Sequence, residues 1–170
     1  MKQSLPLLAL ATALLLGGCA GYHLGPSNGL EAGSRTIQIL PPVNKTFEPR
    51  AAEELNHQLR RQVQRDGTYR LSTREDGDVI VTTTILKYQR IGETYQPRDT
   101  LTVRDYRVQI VAMVTAYDRV SGKNLVSREF LGHTTVRIGA DQSSAERQAL
   151  PLLTEDLARN ITAAIVDGEW

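Results

Sequence analysis

The sequence predicts an α+β domain in which a mostly antiparallel sheet of four to five strands carries two helices on one face. The order of local patterns is strand, helix, several strands and helix, and two segments repeat an apolar residue every fourth position. Packing both helices on one face of the sheet is the economical arrangement for this order. A length of 170 residues with 41% hydrophobic and 23% charged side chains is typical of one globular domain.

The first third of this domain contains a strand, a helix and a second strand. Residues 36–40 alternate in polarity and stop at Pro41, which predicts a short strand. A helix is predicted between Glu48 and Gly67, because proline is tolerated in a first turn and glycine ends helices. Its apolar stripe consists of Ala51, Leu55, Leu59 and Val63. Residues 69–72 form the second strand.

Long strands and a terminal helix make up the rest. Residues 78–91 are rich in β-branched side chains, and residues 102–118 alternate between one apolar and one more polar face. A tight turn with Gly122 in a left-handed conformation leads into the strand 125–136. Ser143 and Glu146 have capping-box spacing before a helical stripe of Ala145, Ala149, Leu153, Leu157, Ile161 and Ile165. Pro151 predicts either a kink or a helix that begins at Leu150.

The N-terminal segment has the pattern of a bacterial lipoprotein signal. Lys2 precedes an apolar run over residues 5–16, which is shorter than the roughly 20 residues a bilayer span needs. The run ends in Leu16-Gly17-Gly18-Cys19, a lipobox in which the Cys19 thiol receives diacylglycerol. The predicted organisation is a signal peptide over 1–18, a lipidated flexible tether over 19–34 and a single domain over 35–170. The acyl chains on Cys19 are the only prosthetic group expected, and they anchor the protein to the membrane.

Charge and motif content argue against several function classes. Twenty basic and nineteen acidic residues give a formal charge of +1, so no global field favours nucleic acid. The three histidines lie far apart without ligand spacing, and Cys19 is used by lipid, so no metal site is predicted. No nucleophile elbow, phosphate loop or dinucleotide fingerprint occurs, and we therefore expect a protein that is not an enzyme.

One segment is a candidate ligand site. Residues 92–101 join the two longest predicted strands, and the cations around them exceed the acids Glu93, Asp99 and Asp105. Arginine binds phosphate or carboxylate in bidentate geometry, which suits an anionic partner. The alternative is a solvated loop with ordinary surface charge. The candidate contacts are Lys87, Arg90, Arg98, Arg104 and Arg107.

The ordered series of short motifs resembles the LptE family of lipopolysaccharide-assembly lipoproteins. It begins with Gly21-Tyr22-His23-Leu24 just after Cys19 and ends in the terminal helix, where Pro151 departs from an uninterrupted pattern. The intervening matches are Ile37, Gln38, Ile39, Pro42, Asn44, Thr46, Gly67, Tyr69, Leu71, Tyr106-Arg107-Val108, Tyr117-Asp118 and Gly122. The resemblance implies a non-enzymatic partner of the LptD β-barrel that acts as a plug and receives lipopolysaccharide.

The same resemblance implies an outer-membrane location, with the domain facing the periplasm or standing inside the barrel lumen. Ala20 after Cys19 is similar to lipoproteins that are sorted onward to the outer membrane. An alternative family class shares the opening of strand, proline, asparagine, threonine and helix. That class comprises lipoproteins that regulate cell-wall synthases or build the curli secretion pore.

The lipobox generates a direct test. Cys19→Ala should leave an uncleaved or soluble precursor, because the acyl chains supply nearly all of the membrane affinity. Cell fractionation and immunoblotting measure this. Processing of the variant, with continued sedimentation in the outer membrane of cells that lack any barrel partner, would contradict the lipoprotein assignment.

Overall fold

The computed structural model describes residues 32–96, 99–137 and 142–167, which form one sheet and two helices. The predicted signal peptide, Cys19 and most of the tether lie outside the described residues. The elements in chain order are β1 (Arg35–Ile39), β2 (Val43–Asn44), α1 (Ala51–Asp66), β3 (Tyr69–Leu71), β4 (Val79–Gln96), β5 (Asp99–Asp118), β6 (Lys123–Arg137) and α2 (Gln142–Asp167). Both predicted helices and all predicted strands are therefore present, with β2 added.

The sheet has six strands in the order β3-β1-β4-β5-β6, and β2 pairs with β4 beside β1. The α+β class is confirmed, although the sheet is mixed. β1 is parallel to both β3 and β4, and β2 is parallel to β4. β4, β5 and β6 are antiparallel to one another. β1 and β3 can be parallel because α1 carries the chain back between them.

The core lies between the two helices and one face of the sheet. The predicted stripe of α1 is buried throughout, and that of α2 is buried from Ala149 to Ile165 with Ala145 partly covered. On β5 the alternating residues from Val108 to Ala116 are buried, as the period-2 pattern predicts. The opposite face of the sheet, which we call the open face, is covered by neither helix.

Helix α2 approaches strand β6 most closely at Gly132. A Cβ atom on Gly132 would lie 2.6 Å from Leu157 Cβ and 2.8 Å from Leu153 O. Any larger residue would push the helix off the strand. Glycine at this position therefore sets the distance between α2 and the sheet.

The outer edge of β6 is partly occupied by side chains of α2. The His133 backbone N–H donates to Asp156 Oδ2 at 3.0 Å, and Asn160 Nδ2 donates to Leu131 O at 3.0 Å. Backbone groups at an open sheet edge otherwise attract strands from other chains. Helix α2 thus satisfies two groups in the middle of the edge strand.

Helix α2 continues through Pro151. It runs from Gln142 to Asp167 with Pro151 inside, so the expected start at Leu150 is wrong. Proline in this position removes one backbone donor. The flanking Leu150 and Leu153 are buried in the core, and this packing holds the first turns in place.

A polar cluster joins the start of β1 to the turn between β5 and β6. Arg35 forms an ion pair with Asp118, which also accepts hydrogen bonds from Ser121 Oγ and Val120 N. Burial alone would raise the pKa of Asp118, but these hydrogen bonds together hold it below the ordinary value of 3.8. Gly122 follows with a φ of 70°, which confirms the predicted left-handed turn.

The lowered pKa makes the fold sensitive to acid. Because the carboxylate is favoured in the folded state, Asp118 contributes stability above about pH 4 and loses it as the pH falls through its folded pKa. We expect Asp118→Asn to cost about 1–3 kcal/mol at pH 7 and to flatten the fall in stability between pH 5 and 3. Urea midpoints measure both effects, and exposed Glu129→Gln is the matched control. An equally steep fall in both variants would contradict this role.

Candidate functional site

Four of the five candidate cations, Lys87, Arg90, Arg104 and Arg107, lie on a hairpin that extends beyond the short strands of the sheet. The pairing of β4 with β5 begins at Val79, opposite Asp118, and ends at Gln96, opposite Asp99. The strands on the other side of β4, β1 and β2, pair with it only as far as Ile85. We call the paired segments beyond this point, residues 87–96 and 99–111, the distal hairpin. Among the described strands, β6 alone pairs with this hairpin.

A bulge at the base of the distal hairpin decides which way each side chain faces. The register of β4 with β5 shifts between Ile85 and Lys87, so Leu86 is the extra residue. Beyond the bulge, Tyr88 pairs with buried Ile110 and Arg90 with buried Val108. Residues that pair directly across two strands share a face. Tyr88 and Arg90 therefore lie on the helix side, and Lys87 lies on the open face.

Arg90 ties β4 to the start of helix α2. Its Nη2 lies 2.8 Å from Glu146 Oε2, with half of the arginine side chain exposed. Tyr88 beside it is partly buried. Burial raises the pKa of the Tyr88 phenol, Glu146 and Glu48 raise it further, and Arg90 opposes the rise. These charges show that β4, α2 and the loop before α1 converge at Tyr88.

Arg107 lies on the open face, opposite Ile91 of β4. It forms an ion pair with Glu93, whose other carboxylate oxygen accepts a hydrogen bond from Thr135 Oγ1 at 3.2 Å. Arg107 is thereby held by groups from β4 and β6. An anion that binds there must compete with Glu93.

Among the candidates whose side chains are described, Lys87 is the one without an acidic partner. Across the described ranges, no carboxylate oxygen lies within 4.0 Å of its ammonium. It is separated from Arg107 by four register positions, which corresponds to roughly 14 Å along the strands. Its charge is free to meet a ligand.

The five candidates are thus not one cluster. The structure places Lys87 and Arg107 on the open face and Arg90 on the helix side, all on the distal hairpin. Arg104 belongs to β5, but its side chain lies outside the described residues, as do Arg98 and Cys19. Their roles as lipopolysaccharide contacts and lipid attachment site remain predictions.

Sequence reasoning missed a loop that borders this surface. Asn44 and Thr46 entered the sequence analysis only as positions of the family resemblance, yet Asn44 Oδ1 accepts hydrogen bonds from Thr46 N at 2.9 Å and Thr46 Oγ1 at 2.8 Å. The Asn-x-Thr spacing is a turn signal that could have identified this loop. The exposed Phe47 follows it directly.

Two searches of the described residues find nothing further. No helix there is both long and apolar enough to cross a bilayer. No group of three or more His, Cys, Asp or Glu side chains in that part of the chain is arranged to hold a metal ion.

Comparison with known families gives the decisive observation. The family model described as LptE, lipopolysaccharide assembly, matches residues 34–165. The chain belongs to the LptE family. The match covers the whole described sheet, all of α1 and all but the last two residues of α2. It agrees with the family resemblance of the sequence motifs. No curated protein sequence matches the chain significantly.

Solved structures share the fold of this LptE-family domain. A Xanthomonas campestris protein has a TM-score of 0.61 at 9% identity, with 85% of this chain and 91% of that chain covered. The Chlamydia trachomatis protein CT253 has a TM-score of 0.56 at 11% sequence identity, with 79% of this chain and 96% of that chain covered. A minor lipoprotein from Acinetobacter baumannii has a TM-score of 0.52 at 16% sequence identity, with 78% of this chain and 93% of that chain covered. At these identities the likeness concerns the fold alone.

Proposed function

We propose that this protein is an outer-membrane lipoprotein, anchored through Cys19, that partners and plugs an LptD-type β-barrel and helps deliver lipopolysaccharide to the outer leaflet. The observation that carries the proposal is the family match over residues 34–165, nearly the whole folded domain. The family works in lipopolysaccharide assembly and is not enzymatic. We accordingly assign this chain a binding role without catalysis.

The open face supports a role as a protein partner. Its central residues are mostly uncharged and only partly covered, as in Thr84 of β4 and Gln109 and Met113 of β5. A surface that mixes apolar and neutral polar groups, with charges at its margin, is typical of a protein contact. We assign the barrel contact to this face.

The distal hairpin supports a role in handling a phosphorylated glycolipid. Lys87 has no acidic partner in the described part of the chain, and Arg90 keeps half of its side chain exposed beside Glu146. Cations of this kind bind phosphate oxygens through charged hydrogen bonds. We propose Lys87, Arg90, Arg98, Arg104 and Arg107 as the contacts.

The alternative, a regulator of a cell-wall synthase or a secretion-pore subunit, predicts a different partner. The mature protein should co-purify a large β-barrel from detergent-solubilised outer membrane, and mass spectrometry identifies the bound protein. Met113→Arg on the open face should reduce this yield at least fivefold, because it introduces a charge into the contact. Gln64→Arg on the exposed side of α1 is the matched control. Recovery of a cell-wall synthase or a ring of this chain would instead support the alternative.

The lipopolysaccharide contact has its own test. Charged hydrogen bonds contribute about 1.5–3 kcal/mol and less where exposed, so Arg90→Ala/Arg104→Ala should weaken binding roughly tenfold. Affinity of the wild type should also fall between low and physiological salt. Binding to the mature protein is measured at both salt concentrations, with Arg61→Ala/Arg70→Ala as the charge-matched control. Equal affinity of all three proteins at both concentrations would remove the distal hairpin as the site.

A further inference from the structure

Phe47 is the most exposed large apolar side chain among the described residues. It lies in the loop between β2 and α1, which we call the Phe47 loop (residues 45–50), and it is fully accessible to solvent. Val43, two residues before this loop, is also more than half exposed. A bulky aromatic group held in water is a candidate contact for an apolar partner.

The backbone around Phe47 is fixed by local hydrogen bonds. Asn44 Nδ2 donates to Glu48 O at 2.7 Å, and Glu48 N donates to Thr46 Oγ1 at 3.3 Å. Lys45 N donates to Ile85 O at 3.0 Å, which joins the loop to β4. The loop therefore presents Phe47 from a rigid base, so binding there costs little ordering of the backbone.

Two free cations stand next to Phe47. Lys45, Phe47, Leu86 and Lys87 line one groove of about 310 Å³. Within the described ranges neither lysine ammonium has a carboxylate oxygen within 4.0 Å. Three cations and one acid line the groove, since Arg90 and Glu48 also border it. An anion entering the groove therefore meets a net positive charge.

We propose that this groove is a subsite for a phosphorylated amphiphile, with Lys45 and Lys87 binding a phosphate and Phe47 contacting an acyl chain. The inference rests on the proposed function and names lipopolysaccharide as the occupant. Paired cations beside a single apolar side chain match a ligand that carries phosphate next to hydrocarbon. A protein contact would need a wider apolar centre than Phe47 and Val43 provide.

The position of the subsite separates it from the point where the chain enters the domain. Gly33 N–H bonds to Thr68 O at the β1–β3 side, and β1 meets β4 at Val79. Lys87 lies eight residues further along β4, roughly 27 Å away. The groove thus lies far along β4 from the end of the sheet where Gly33 and β1 are found.

The test separates the acyl contact from the phosphate contact. Binding of the full mature protein is measured with lipopolysaccharide and with the same lipopolysaccharide after removal of its acyl chains. Phe47→Ala should weaken binding of the intact molecule about tenfold and leave the deacylated one unchanged, because it removes apolar contact only. Lys45→Ala/Lys87→Ala should weaken binding of both molecules, by at least fivefold for the deacylated one.

Matched variants control for general effects. Val120→Ala removes an exposed apolar group at the opposite turn, and Arg61→Ala/Arg70→Ala removes two exposed cations elsewhere. Thermal unfolding midpoints check that every variant is folded. Vesicles of phosphatidylglycerol and phosphatidylethanolamine form a further arm, measured with protein that lacks the acyl chains because the anchor would otherwise dominate vesicle binding. Phe47→Ala should bind these vesicles as the wild type does.

Two results would overturn the subsite. One is a Phe47→Ala protein that binds intact lipopolysaccharide as tightly as Val120→Ala does. The other is a loss confined to the vesicles, which would assign Phe47 to a bilayer contact. In either case the wild type still binds lipopolysaccharide and the barrel, so the proposed function stands. A wild type that binds neither lipopolysaccharide nor barrel would reject the proposed function itself.

Discussion

The antiparallel pairing of β4 with β5 is the interaction on which the remaining structure depends. These strands pair along nearly their whole length, and every other strand except β3 attaches directly to one of them. β1 and β2 occupy the start of the free edge of β4, and β6 follows β5. Because both helices pack on the same face of the sheet, the opposite face stays open. The far end projects as a hairpin because β1 and β2 extend only to Ile85 of β4. The surfaces assigned to the barrel and to lipopolysaccharide both follow from that asymmetry.

Periodicity predicted those parts of the fold whose burial is one-sided. Leu55 and Leu59 of α1, and the alternating residues of β5, are buried because each element packs on a single layer. The parallel pairing of β1 with β3 depends on where α1 returns the chain, which no local pattern records. For a related reason the sequence left two alternatives at Pro151, a kink or a helix that begins at Leu150, and the structure excludes the second. The local cost of the proline is offset by tertiary packing of the surrounding turns, which a window of sequence does not contain.

For the candidate site, the sequence predicted an excess of cations around residues 92–101 but neither the face on which each side chain lies nor its partner. One inserted residue, Leu86, reverses the alternation of β4, so that Arg90 lies on the helix side and Lys87 on the open face rather than the reverse. Arg90 then meets Glu146 from the far end of the chain, and Lys87 meets Lys45 from a preceding loop. Phe47 escaped notice because periodicity identifies buried residues, whereas its importance comes from exposure on a rigid turn. The predicted lipid attachment at Cys19 is of another kind, since the prediction rests on a linear sequence motif alone.

The hydrogen bonds from helix α2 to the edge of β6 bear on how copies of this protein behave when crowded together. Asp156 and Asn160 occupy the His133 N–H and Leu131 C=O, which interrupts the outward row of backbone groups near its middle. A neighbouring chain could then pair with β6 only on one side of this point or the other, so no intermolecular ladder can run along the whole strand. The contact of α2 with β6 thus opposes strand-by-strand association along this side of the sheet.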